Sequence, residues 1–178
     1  MRTLILTAAL FSSFGRLFGA GDAPSYKTVE IYDDLRSQAL ALPPDVAGAE
    51  VGDEVLTVLM ETGYPEAVAT LVATPDGSAS LYYSSGGGTI GAGGHNGPNR
   101  AARALVQTAA TFLQHLKKTE KTPLPKEGFV RFYVVTRSGV FTAEVKEDDL
   151  GEERSPLSPF FFAGHSLISE IVAIDQTK

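Results

Sequence analysis

Apolar positions along the chain change period several times, and each change marks an element. Val29, Tyr32, Leu35, Ala39 and Leu42 recur at three- and four-residue steps, with Asp33, Asp34, Arg36 and Gln38 on the other side. That stripe predicts an amphipathic helix, with Ser25 as its cap and Pro43-Pro44 as its stop. From Val55 to Glu61 the run is short and rich in branched residues, which predicts a strand. Ala67–Thr74 alternates and predicts a second strand, and Ser78–Ser84 a third. Pro75-Asp76-Gly77-Ser78 between them has the residues of a tight turn, so these neighbours are antiparallel. Tyr82 and Tyr83 must point to opposite faces.

A glycine-dense stretch, Gly86 to Gly94, separates this meander from the longest helical pattern. There Ala102, Leu105, Val106, Ala109, Phe112, Leu113 and Leu116 form the buried stripe. Asn96 or Gly97 is the cap, Pro98 sits near the first helical position, and Lys117, Lys118 and Lys121 complement the dipole at the far end. Gly128–Arg137 and Val140–Lys146 predict a second hairpin, apolar on both faces at Phe129–Val135 and hence covered on both sides. The acidic patch Glu144–Glu153 reads as a solvated turn. Ser158-Pro159 opens a last helix with Phe160, Ala163, Leu167, Ile171 and Ile174 at core spacing. The expected fold is α+β: a five-stranded, largely antiparallel sheet with helices packed on it, in the order α-βββ-α-ββ-α.

Composition adjusts this picture little. The chain has 178 residues, 43% of them hydrophobic and 20% charged, which suits one α+β domain over residues 25–178. A net charge of −6 argues against a nucleic-acid footprint. The absence of cysteine excludes disulfides and thiol nucleophiles. No apolar run reaches the ~18 residues of a membrane span. Residues 1–24 are expected to be a flexible segment outside the domain. Thr3–Phe11 resembles a short signal-peptide core, but Arg16 and bulky residues stand where a cleavage site needs small ones. Phe11, Phe14, Leu17 and Phe18 sit at helical spacing and could dock on a surface. The expected location is cytoplasmic, with export the alternative.

The glycine stretch is the main candidate for chemistry. Gly86-Gly87-Gly88-Thr89-Ile90-Gly91 matches G-x-G-x-x-G, but the flanking strands read as antiparallel and the helix starts several residues later, so the dinucleotide-binding context is missing. A looser anion or nucleotide site remains: Gly88, Gly91 and Gly94 for close backbone approach, amides at the following helix N-terminus, and His95, Arg100 and Arg103 nearby. The competing reading is that these glycines serve backbone geometry alone. His95, His115 and His165 lack metal-ligand spacing, Ser84 and Ser85 lack a nucleophile elbow, and Glu61 and Glu66 read as flanking a turn. No catalytic residue, metal or cofactor is assigned.

Val58–Leu71, reading VLMETGYPEAVATL, and Ser80–Gly93, reading SLYYSSGGGTIGAG, resemble an uncharacterised family of bacterial proteins; Leu40–Pro44 and Pro156–Pro159 belong to the same pattern. That resemblance begins after the N-terminal segment and implies no catalytic residues. The element order also resembles profilin-like and roadblock-type domains, which serve as dimerising scaffolds. The function expected is a non-enzymatic module that binds a partner protein or a second copy of itself; the alternative is the anion-binding protein or enzyme built on the glycine stretch.

Overall fold

The computed structural model describes residues 26–50 and 54–175. The N-terminal segment, the Ser25 cap and the loop at Gly52 lie outside the described residues.

The first helix, α1, runs Glu30–Leu40, and its buried face is Tyr32 and Ala39. Strands β1 (Val55–Gly63), β2 (Val68–Ala73) and β3 (Ala79–Tyr83) form the expected antiparallel meander, with Leu59 opposite Val72 and Leu71 opposite Leu81. β6 (Phe129–Thr136) and β7 (Gly139–Lys146) form the second hairpin. The fold is α+β and the sheet antiparallel throughout, but among the described residues it has seven strands, not five, in the order β4-β3-β2-β1-β6-β7-β5.

The two additional strands are its edges. β4 is Gly88–Thr89, inside the glycine stretch, and β5 is Lys117–Thr119. Two or three residues cannot show a two-residue period. β5 also carries two lysines, a common way to blunt an exposed sheet edge. The sequence pattern places those lysines at the end of the long helix. That helix, α2, spans Asn96–Phe112 and tightens into a 3-10 turn at Leu113–His115 before the chain pairs with β7.

The sheet is covered on both faces. On one, Val58, Met60, Leu71, Phe132 and Val134 pack against Ala102, Leu105 and Ala109 of α2 and against Phe160, Leu167 and Ile171 of the last helix, α4 (Ser158–Asp175). Phe160 stacks on Phe132 with ring centroids 4.7 Å apart. The acidic patch contains a short helix, α3 (Glu147–Gly151), anchored by fully buried Leu150. On the other face, Leu56, Leu59, Tyr133 and Val135 pack against Ala39 and Ala47. β6 thus contributes alternate side chains to both cores, as its two apolar faces required.

Candidate functional site

The second face carries a row of polar side chains across five adjacent strands. Tyr82 of β3 lies opposite Thr70 of β2, Thr70 opposite Glu61 of β1, Glu61 opposite Arg131 of β6, and Arg131 opposite Glu144 of β7. α1 lies over the centre of the row. Its Arg36 donates from Nε to Glu61 Oε1 at 2.6 Å and from Nη2 to Glu61 Oε2 at 2.9 Å. Nη2 also reaches the Thr122 carbonyl at 2.9 Å. The Tyr32 and Thr70 hydroxyls are 3.0 Å apart. Tyr133 donates to the Pro123 carbonyl at 2.5 Å, with the Arg36 guanidinium 5.5 Å from its ring centre. Arg131 pairs with Glu144 at the far end.

Glu61 has no exposed side-chain surface. Burial pushes its carboxyl above the ordinary carboxylate value, opposed by hydrogen bonding to Arg36 and by attraction to Arg36 and Arg131. Desolvation works against the Arg36 charge, yet its bonds and attraction to Glu61 outweigh that and raise its pKa. The two-bond fork between guanidinium and carboxylate is the arrangement that offsets desolvation of both charges. Burial, then the Glu61 charge, raises Tyr32 and Tyr82; the same two causes, in that order, push Tyr133 up to about 12. With α1 in place, no substrate reaches Glu61. The row therefore acts as a tether between α1 and the sheet. Sequence reasoning placed Arg36 on the solvent side and Glu61 beside a turn. The available signal was an acid in a branched strand run, on the same face as Leu59, which demands a buried partner.

The structure disperses the residues singled out in the glycine stretch. Gly88 lies in β4 with φ +137°, paired with Tyr82 of β3, and a Cβ there would run into Leu81 O and the Tyr82 backbone. Gly91, φ +75°, leads into a 3-10 turn at Ala92–Gly94 and donates to Ser80 Oγ at 3.3 Å. The amides of Gly94 and His95 are used within that turn, bonding Gly91 O at 3.1 Å and Ala92 O at 3.0 Å. His95 and Arg100 are exposed. Arg103 is engaged with the β2–β3 turn: it donates to Pro75 O at 2.9 Å, to Asp76 O at 2.5 Å and to Asn99 Oδ1 at 3.1 Å. Asn99 bridges Asp76 O and Gly93 O, both at 3.2 Å. Desolvation opposes the Asp76 charge, but hydrogen bonds from Thr74 and Ser78, aided by Arg103, lower its pKa. The protein's own Glu170 carboxylate lies against Gly97 in the first turn of α2, where the helix dipole favours a negative group.

A different part of the stretch lines a groove. The turn between β3 and β4 and the side of α1 enclose about 200 Å³. Ile31, Tyr32 and Leu35 of α1 line it together with Tyr82, Gly86–Gly88 and Ile90; Tyr83 borders it at the end of β3, with its side chain on the face of Leu81, where it meets a second depression beside Ile171 and Val172. Ile31 is 60% exposed, Ile90 59% and Tyr83 40%. Gly86 and Gly87, at φ +99° and +83°, occupy conformations that a side chain would strain, and no atom lies within 4 Å of a Cβ built on Gly87.

Among the described residues, no group of three His, Asp or Glu side chains is placed to hold a metal, and no helix is long and apolar enough to cross a membrane. Comparison with protein-family models, with curated proteins and with solved structures gives no match to this chain.

Proposed function

We propose that the protein is a non-enzymatic interaction module whose contact surface is the groove between α1 and β4, and that it takes an apolar segment of polypeptide there. The observation that carries this is the convergence of Ile31 and Ile90, both largely exposed, with Leu35 on one groove. Scattered apolar side chains on a surface need no explanation, but a contiguous apolar site does. The groove has no charged side chain in its lining, so its recognition is hydrophobic. The polar row is sealed beneath α1, and Arg103 is committed to a turn. Arg103 also lines a depression of about 250 Å³ with Glu50, Pro75 and Gln107, but its polar lining does not suit an apolar segment.

The test is a photo-crosslinking amino acid placed at position 90 in the full chain, with Lys146, exposed at the end of β7, as the control position. The expected result is a polypeptide adduct at position 90 that is lost in the Ile31→Asp background and absent at position 146. Equal capture at both positions, or none at position 90, would refute the proposal.

A further inference from the structure

Gly88 stands between two apolar depressions, one on each face of the sheet. The groove beside α1 lies on the face of Tyr82. The second depression, about 250 Å³, lies on the face of Leu81 and Tyr83 and is closed by Thr89, Ile171 and Val172. Adjacent residues of β3 thus line opposite hollows, as the alternation of a strand requires. Neither hollow is lined by a charged side chain. Both leave large apolar groups partly in solvent: Ile31 and Ile90 on the first face, Tyr83 and Val172, 40% and 41% exposed, on the second.

Between the hollows runs the edge of the sheet. β4 is last in the strand order, and among the described residues no strand pairs beyond it. Gly87 O accepts from Tyr83 N at 3.1 Å. In an antiparallel pair, residues bonded across the ladder alternate with residues whose N–H and C=O point away. Gly87 bonds to β3, so Gly88 turns its N–H and C=O outward. Such an edge is a template for another extended chain. The opposite edge, β5, presents two lysines. β4 is Gly88–Thr89, followed by exposed Ile90, and has no charge to repel a strand.

Resting on the interface reading above, we infer that the partner segment binds as an added strand along β4, apolar at consecutive positions. The residue opposite Gly88 sends its side chain to the Tyr82 face, into the groove with Ile31, Leu35 and Ile90. Its two neighbours send theirs to the other face, over Tyr83, Ile171 and Val172. Main-chain bonds to Gly88 set the register, and the two hollows select the side chains. A helix with one apolar stripe would fill one hollow and make no bond to the edge. A strand apolar on one face would leave the other hollow empty.

The probe is a short, capped, fluorescent peptide with Val-Ile-Val at its centre in a serine and lysine host, titrated into the full chain and read by anisotropy. Saturable binding is expected, with slowed exchange of the Gly88 amide. Ile31→Asp and Val172→Asp each place a charge at one hollow on an exposed position, and both should weaken binding by about tenfold or more. N-methylation along the Val-Ile-Val centre should weaken it by about tenfold as well. No binding, or equal binding of a peptide with a Ser-Ser-Ser centre, overturns the inference. Loss confined to Ile31→Asp, with the methylated peptide binding as well as its parent, overturns strand addition but leaves the groove reading standing. Loss confined to Val172→Asp overturns both. If the peptide does not bind and position 90 still captures a polypeptide, the interface reading stands without the added strand; if position 90 captures nothing, that reading fails as well.

Discussion

Arg36→Met tests the tether beneath α1. Methionine keeps the aliphatic stem of Arg36 and removes the guanidinium, leaving Glu61 with no exposed surface and without its two shortest bonds. Two unit charges about 4 Å apart at an effective dielectric of about 20 interact by about 4 kcal/mol. Removing one partner of a buried pair costs about 3–5 kcal/mol. For a chain of this size that lowers the melting midpoint by about 10 °C. Urea denaturation at pH 7, with the m-value checked for constancy, measures the loss. The pH dependence has a definite sign. Burial already raises the Glu61 pKa, and removing Arg36 takes away its main opponent. A raised carboxyl binds its proton in the folded state more tightly than in the unfolded state. The folded protein is then favoured below the ordinary carboxylate value of 4.5, and that advantage is lost as pH rises through the raised value. The penalty of Arg36→Met relative to the parent should therefore shrink on acidification. Adding Glu61→Gln should recover much of the loss at pH 7, because no buried charge is then stranded. A loss below about 1 kcal/mol, within the range of exposed pairs, or strict additivity in the double variant, would refute the buried-pair reasoning.

Three further outcomes follow from close contacts. Gly93→Ala would press a Cβ into Gly77 O and to 2.7 Å from Ser78 Cα, costing about 1–3 kcal/mol by chemical denaturation, whereas Gly94, with nothing within 4 Å, should tolerate alanine within about 0.5 kcal/mol. Arg103→Ala removes donors from the Pro75 and Asp76 carbonyls and should cost about 1–2 kcal/mol, with faster amide exchange confined to the β2–β3 turn. Phe160→Ala empties a fully buried site stacked on Phe132 and Phe112 and should cost about 3–5 kcal/mol, measured as a drop in denaturation midpoint.

Local signals in the sequence carried the meander and the long elements. Pro75-Asp76-Gly77-Ser78 and Arg137-Ser138-Gly139 close hairpins where turn chemistry placed them, and the Phe129–Val135 alternation anticipated a strand between two cores. The edge strands were hidden because β4 sits among glycines and β5 among lysines, residues chosen for backbone freedom and for blunting an edge. The tether was hidden for another reason. Arg36 and Glu61 are 25 residues apart, and no periodicity tells which arginine on a helix turns inward to meet an acid on a strand. The groove was half visible: the glycines drew attention, but Ile31 and Leu35 come from α1, and only the packing of α1 beside the β3–β4 turn brings them there.

Tether and groove share that helix. Tyr32 and Arg36, one turn apart, face the sheet; Ile31 and Leu35, also one turn apart and one position earlier, line the groove. Between Glu30 and Leu40 the buried residues are Tyr32 and Ala39, a modest apolar anchor, so the Arg36 fork has a large share in fixing the helix. One wall of the groove is consequently set by a bond in which no groove residue takes part. Capture at position 90 should fall in Arg36→Met at pH 7 and return with Glu61→Gln, in step with the denaturation midpoint. A groove variant such as Ile31→Asp should instead lose capture while its stability stays within about 0.5 kcal/mol of the parent. If Arg36→Met lost stability but captured as well as the parent, the groove wall would have to be held by the β3–β4 turn alone, and the mechanical link between the two sites would be wrong.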